Sequence, residues 1–219
     1  MCVWSLIPQN KLFFTSVATS VMDFYSSYYT IYNHDGALYL MNSATSFKDI
    51  HDEYIKKLDG NKGLDVGCGP GALWTKYYRG KGFIMTPVDK NDQVVYAENA
   101  YLYCAPEALS FREYEFDFAI CSCMVQHLDS WEHTKVMLEE IHRVIRPSGA
   151  FIFIFKEGHH DTLVTLTDNK YTSERTFRVY DLKEVLKFLE NKWTIIDVKN
   201  GMDEKRMVHS FIFATKSGL

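Results

Sequence analysis

Residues 64–71 read "LDVGCGPG", three glycines within five positions behind a single acid. Glycine at this spacing lets the backbone come close to a ligand that side chains would hold off, in a turn leaving a strand and entering a helix. Gly67, Gly69 and Ala72 satisfy G-x-G-x-x-[GA], and Asp89 follows about twenty residues on, where a ribose-binding acid is expected in a dinucleotide site. Asp65 argues for a different ligand. Two residues before the first glycine, its carboxylate would meet a pyrophosphate as like charge in a partly dehydrated site, whereas a cationic ligand would be attracted. The bland alternatives stay open: Asp65 as a carboxylate capping the turn amides, and Asp89 as a turn residue before "KND".

Such a loop works only if a sheet carries it to a strand end. "KGLDVG", "GFIMTPVD", "FDFAICS" and "GAFIFIFK" are short apolar runs ended by Gly, Asp, Ser or a charge, and each predicts a buried strand of a parallel sheet. "SWEHTKVMLEEIHRVI" predicts a helix. Ser130 is its N-cap, Glu132 lies in its first turn, Val136, Leu138, Ile141, Val144 and Ile145 form one apolar stripe, and "RPSG" ends it. "DLKEVLKFLEN" predicts a second helix, and "WTIIDVKN" with "MVHSFIFATK" a closing antiparallel hairpin. Upstream, "FFTSVATSVMDFY" and "SATSFKDIHDEYIKKL" carry helical spacing, the latter with Ser43 or Ser46 as cap. The expectation is one α/β domain with ligand sites at the carboxyl ends of its strands, a core over 61–219 and a helical lid segment over 1–60.

One acid for a cationic end and one for a sugar match S-adenosylmethionine, which carries a sulfonium, an ammonium and ribose hydroxyls. "LDVGCGPG", a strand ending at Asp89, "ALSFREYEFDFAICSCMVQHL" and "LEEIHRVIRPSGAFIFIF" together resemble the class I S-adenosylmethionine-dependent methyltransferases over about residues 62–156. "FKEGHH" and "SERTFRVYDLKEVLKFLE" are similar to the Lys-Glu-Gly and Arg-x-Phe-x-x-Tyr segments of one subgroup. The resemblance implies a Rossmann-like, seven-stranded, mostly parallel sheet with one antiparallel strand, helices on both faces, and the cofactor across its carboxyl edge. By position it implies Asp65, Gly67, Cys68, Gly69 and Gly71 at the methionine end, Asp89 and Lys90 at the ribose, and Glu107 and Ala108 beside the adenine. Cys121 to Met124 would lie beneath the ribose and methionine, and Arg143 with Pro147 to Gly149 would have a structural role, with Ser148 where the family has glycine.

Two departures stand out. Only 26 residues separate Asp89 from "FDFAIC", so the intervening helix is expected to be curtailed. Ala105 stands where the family often has an adenine-binding Asp, followed by Pro106, which has no N–H to offer, with Glu107 as the substitute acid. On the acceptor side, His127 has a pKa suited to a general base and Gln126 to orienting the acceptor; each can instead satisfy its own loop. "EGHHD", Glu157 to Asp161, reads as a proton-handling rim or an exposed polar loop; its adjacent histidines point apart, which argues against a shared metal. The aromatic run Phe24 to Tyr32 reads as lid packing or as a platform for a flat acceptor.

Composition narrows the classes. The chain of 219 residues is 47% hydrophobic with a net charge of -4, which supports a folded core and offers no global basic field for nucleic acid. No apolar run of membrane-spanning length is present, and the five cysteines lack paired CxxC spacing, so neither zinc nor a disulfide framework is expected and a cytoplasmic location is. The leading expectation is an enzyme methylating O or N of a small molecule. Its rivals are methylation of tRNA through a local basic patch, a cofactor-binding partner subunit without catalysis, and, more distantly, a nicotinamide oxidoreductase.

Overall fold

The computed structural model describes residues 47–69, 71–90, 101–102, 108–166, 175–202 and 207–218. In chain order these form α1 (Phe47–Ile55), β1 (Lys62–Val66), α2 (Leu73–Gly80), β2 (Ile84–Asp89), β3 (Tyr101–Leu102), β4 (Phe116–Ser122), a 3-10 turn (Val125–His127) and α3 (Trp131–Val144). They continue with β5 (Ile145–Lys156), β6 (Thr162–Leu166), β7 (Arg175–Val179), α4 (Leu182–Leu189), β8 (Trp193–Met202) and β9 (Val208–Lys216). Seven strands make one sheet in the order β3-β2-β1-β4-β5-β9-β8, in which β9 alone runs against the others. The expected sheet, its antiparallel strand and the closing hairpin are all present.

Strand alternation explains why both faces are covered. Ala119 and Cys121 of β4 join Leu64, Val66, Phe151 and Phe153 under α3 and α4, while Phe118 and Ile120 join Ile152, Ile154, Phe211 and Phe213 under α1 and α2. Each face is therefore a separate buried layer, and every apolar side chain packed there adds roughly 1.5–3 kcal/mol. Among the described residues no helix is long and apolar enough to cross a membrane.

The caps follow the sequence with small changes. Ser130 caps α3 by accepting from His133 N–H at 3.2 Å, and Asp181 caps α4 through Lys183 and Glu184. The stripe of α3 is Thr134, Met137, Leu138, Ile141 and Val144; Val136 is on the exposed side and Ile145 has already turned into β5. Helical spacing admits both sets, and packing against the sheet selects one. Hairpin β6–β7 was absent from the sequence-based expectation, because the alternation of its short strands is not distinct from loop.

After α3 the chain enters β5 through a bulge: Phe116 pairs with Ile145 and Phe118 with Ala150. Exposed Ser148 sits there at φ 58, a left-handed conformation costing a non-glycine residue about 1–2 kcal/mol. Ser148→Gly is expected to stabilise the fold by about 0.5–1 kcal/mol after the extra freedom of glycine in the unfolded chain is subtracted. Thermal unfolding checks this as a midpoint rise of roughly 1–4 °C.

Candidate active site

The strand order reverses between β1 and β4, and the chain leaves these two strands at the same edge. Such a switch point opens a crevice at the carboxyl ends of the strands. One wall is the glycine loop after β1; the other is the segment Cys123 to Leu128 after β4.

The loop is held from beneath. Gly67 and Cys68 donate their N–H groups to Val88 O of β2 at 2.9 and 3.0 Å, and Gly69 N–H donates to Asp89 Oδ2 at 2.9 Å. The first three loop amides therefore point into the protein. What the loop turns outward is glycine itself: Gly69 and Gly71 have φ 63 and 82, and a Cβ built on either meets none of the described residues within 4 Å. Gly67, at φ 70, is needed for another reason, since a Cβ there would lie 2.1 Å from Cγ of Met124 on the opposite wall.

Two acids underlie this loop. Asp65 is buried at 1% exposure, and its Oδ2 accepts from Thr75 N–H at 2.9 Å and Thr75 O–H at 2.6 Å in the first turn of α2. Burial pushes its carboxyl up to about 6, the Thr75 bonds pull it down, and the nearby Asp89 pushes it up again. One Asp65 oxygen thus belongs to α2 at Thr75 rather than to the amides of the glycine turn, which bond to Val88 and Asp89. The two acids remain a concentration of negative charge that a cationic ligand would relieve.

The opposite wall is built around the 3-10 turn. Tyr180, its hydroxyl pushed up to about 12 by burial, donates to Val125 O at 3.1 Å and pairs with Thr134 Oγ1 at 2.9 Å. Arg178 of β7 donates to Asp129 O and Asp161 Oδ1, fastening the hairpin to the end of this turn. On the turn itself His127 is exposed, with its Nε2 3.5 Å from Nε2 of Gln126. Gln126 is buried, and its Oε1 has no hydrogen-bond partner among the described residues. A buried carbonyl oxygen left so costs about 1–3 kcal/mol unless a ligand donates to it.

The remaining expectations distribute as follows. Lys90 and Ala108 are exposed at the crevice side of β2 and before Leu109. Cys121 points away, fully buried in the layer under α3 and α4, where burial pushes its thiol up; only its backbone can face the crevice. Glu107, Ala105, Pro106, residues 91–100, the aromatic run Phe24 to Tyr32 and the caps Ser43 and Ser46 lie outside the described residues. "EGHHD" is a structural knot. Asp161 accepts from Trp131 N–H at the start of α3 and from Arg178, His160 packs against Trp131 and Tyr180, His159 meets Thr162, and Glu157 accepts from Ser210. Arg143 has the expected structural role: with Glu140 it clamps Leu109 and Phe111, fixing the loop beside β4. Met124 lies in the expected Cys121 to Met124 stretch and Tyr180 is the Tyr of the Arg-x-Phe-x-x-Tyr segment, whereas Thr75 and Glu140 were not anticipated. Of these two, Thr75, ten residues past Asp65 in the first turn after the glycines, carried a local signal.

Residues 64–153 match the family model described as methyltransferase domain. A malonyl-[acyl-carrier protein] O-methyltransferase of Pseudescherichia vulneris is 33% identical over 96 residues, covering 41% of this chain and 37% of that protein. A protein of the same name from Erwinia billingiae is 29% identical over 106 residues, covering 46% and 41%. The match thus spans less than half the length of these curated relatives. Among solved structures, an S-adenosylmethionine-dependent methyltransferase from Methanosarcina mazei superposes with a TM-score of 0.65 at 18% identity, covering 78% of this chain and 98% of that one. The 1,6-didemethyltoxoflavin-N1-methyltransferase of Burkholderia thailandensis, with 1,6-didemethyltoxoflavin and S-adenosylhomocysteine bound, gives 0.63 at 19% identity over 96% and 94%. At these identities the superpositions speak for the fold.

Proposed function

We propose that this chain, in which residues 64–153 match a methyltransferase-domain model, is a class I S-adenosylmethionine-dependent methyltransferase that transfers the cofactor's methyl group to an oxygen or nitrogen of a small-molecule acceptor. The observation that carries this reading is the open face of Gly69 and Gly71 above two acids, opposite the unpartnered Gln126 Oε1. This arrangement fits a ligand with a cationic end, a sugar and a neighbouring acceptor. The O-methyltransferase names of the curated relatives support oxygen as the acceptor atom. A net charge of -4 weighs against a nucleic-acid acceptor.

Bound S-adenosylmethionine supplies a methyl carbon already activated by its sulfonium, so alignment carries much of the catalysis. In this reading Gly67, Cys68, Gly69 and Gly71 shape the cradle for the methionine end, and Asp65 contributes negative charge from below. Asp89, tied to Gly69 by one oxygen, holds the ribose hydroxyls, with Lys90 beside it. Glu107 and Ala108 flank the adenine, and the backbone at Cys121 forms the floor. Gln126 accepts a hydrogen bond from the acceptor at Oε1, and His127 takes the acceptor's proton at Nε2 where one must leave. The N-terminal segment over 1–60 acts as a lid that excludes water, and its α1 brings the Phe47 ring to 5.0 Å from that of His209 at the carboxyl edge. The free thiols of Cys121 and Cys123 suit a cytoplasmic location.

Calorimetry with S-adenosylmethionine and S-adenosylhomocysteine tests the reading. Micromolar binding is expected for the native chain, in the range usual for enzyme ligands. Asp89→Asn is expected to weaken it at least tenfold, because asparagine Oδ1 still accepts from Gly69 N–H while the new amide cannot accept from a ribose hydroxyl. Binding unchanged in the variant, or absent in the native chain, would refute the assignment.

A further inference from the structure

The same alternation that builds the two layers sends three reactive side chains to one place. Two residues beyond Cys121, the chain turns at Cys123, which packs at the edge of the layer under α1 and α2. Lys156 lies two beyond Ile154 of that layer, and His209 two before Phe211. Lys156 and His209 are register partners on β5 and β9, and Cys123 N–H donates to Ile154 O. All three meet at the carboxyl edge. Lys156 Nζ lies 3.2 Å from His209 Nε2, and His209 Nδ1 lies 3.5 Å from Cys123 Sγ.

The chemistry of the donors orients this chain. An ammonium can only donate, so the bond from Lys156 makes His209 Nε2 an acceptor. A neutral imidazole accepting at Nε2 carries its hydrogen on Nδ1, which then donates to sulfur. A hydrogen bond donated to sulfur, with a cation one ring further on, favours the charged form of a thiol. We propose that Cys123 is a nucleophilic thiolate, held so by the Lys156–His209 relay, and a site of covalent modification by soft carbon electrophiles at the mouth of the crevice.

Among the described residues, the other groups near the relay do not oppose it. Burial works to raise the Cys123 thiol, but His209, Lys156 and the neighbouring Ser122 hold it below the ordinary thiol value. Cys121 on the same strand stays protonated, its thiol pushed up by burial. From α1, Phe47 presents an uncharged ring to His209, and His51 is kept neutral, lowered to about 3 by burial and bonded to Tyr78. Glu157 and Ser210, next along β5 and β9, bond to each other. Cys123 is only partly buried, at the edge of its layer. His209, at 2% exposure, is shielded from water, which strengthens its bonds on both sides.

The probe is iodoacetamide: the Cys123 sulfur attacks its methylene carbon, an S–C bond forms, the C–I bond breaks and iodide leaves with the electron pair. Rates at Cys123 are read by peptide mass spectrometry at pH 6.5 and 8.5 on the whole chain. An ordinary thiol, with a pKa of about 8.5, gains roughly 50-fold in thiolate between these pH values. In the native chain the expected gain is below fivefold. His209→Phe, which keeps a ring beside Phe47, and Lys156→Met, which keeps the stem, are each expected to restore a gain above tenfold. Fully buried Cys121, unlabelled throughout, marks each sample as folded, and either variant suffices if the other does not fold. A native gain near 50-fold, or a flat native profile that survives both substitutions, would overturn the proposal. The readout needs no cofactor, so its result is independent of the methyl-transfer assignment.

Discussion

Gly67→Ala is expected to lower the stability of the fold by about 3 kcal/mol. Two costs combine. Alanine at φ 70 is in the left-handed region, costing about 1–2 kcal/mol, and its Cβ would fall 2.1 Å from Cγ and 2.6 Å from Cβ of Met124. The Cβ of Met124 is fixed to the backbone, so rotating the side chain cannot clear the overlap, and overpacking of this kind costs about 1–3 kcal/mol. Urea unfolding measures the sum. Adding Met124→Gly, which removes the fixed Cβ, to Gly67→Ala separates the parts: the steric share is relieved as an interaction energy of about 1–2 kcal/mol, and the conformational share remains. A single-variant loss below about 1 kcal/mol would mean that the two walls of the crevice are not packed as described. Gly69→Ala is the natural contrast, because its Cβ would meet open space and only the conformational cost applies.

Asp65→Asn is expected to change stability with pH in the direction opposite to substitutions of carboxylates held low by ion pairs and hydrogen bonds. Folding raises the Asp65 carboxyl from 3.8 to about 6, so between those values the folded chain holds a proton that the unfolded chain releases. Stability from this group is therefore highest below pH 4 and falls as pH rises to 6, by about 3 kcal/mol at 1.36 kcal/mol per pKa unit. Asparagine is neutral throughout and still accepts from Thr75 N–H and O–H. The stability of Asp65→Asn relative to the native chain should thus increase by about 3 kcal/mol between pH 4 and pH 7.5, read from denaturant midpoints at each pH. A difference that does not move with pH would show that the charge is fully compensated in place. A costly buried carboxylate, retained where asparagine would serve the fold better, is the kind of strain found at binding sites.

The carboxylates elsewhere behave in the ordinary sense and make the contrast measurable. Desolvation works to raise Asp117, but the backbone N–H groups of Lys62 and Asn61, together with Arg146, hold it below its usual range. Glu140 is lowered chiefly by its bonds to Arg143. Both contribute stability that is lost as pH falls through their folded values, whereas Asp65 loses it as pH rises.

Much of the layout was written in local pattern. Four apolar runs ending in Gly, Asp, Ser or Lys became β1, β2, β4 and β5 because a strand buried on both faces has little room for polar residues. Ser130 and Asp181 announced their helices because a cap acts within three residues of itself. Hairpin β6–β7 was not legible, since its stability comes from Arg178, Tyr180 and Phe177 packing onto the 3-10 turn and β5, far away in sequence.

By itself the sequence determined the α/β class, the position of the glycine loop and the two acids that attend it, because turn geometry and strand burial depend on neighbouring residues. Tertiary structure decided what each of these does. It turned the first three loop amides inward to Val88 and Asp89, spent one oxygen of Asp65 on Thr75, pointed the Cys121 thiol away from the crevice, and tied "EGHHD" into a structural knot. It also brought Cys123, in the turn after β4, together with Lys156 of β5 and His209 of β9. Such contacts join residues tens of positions apart, and they form only once the register of a buried sheet has chosen which side of each strand faces which layer.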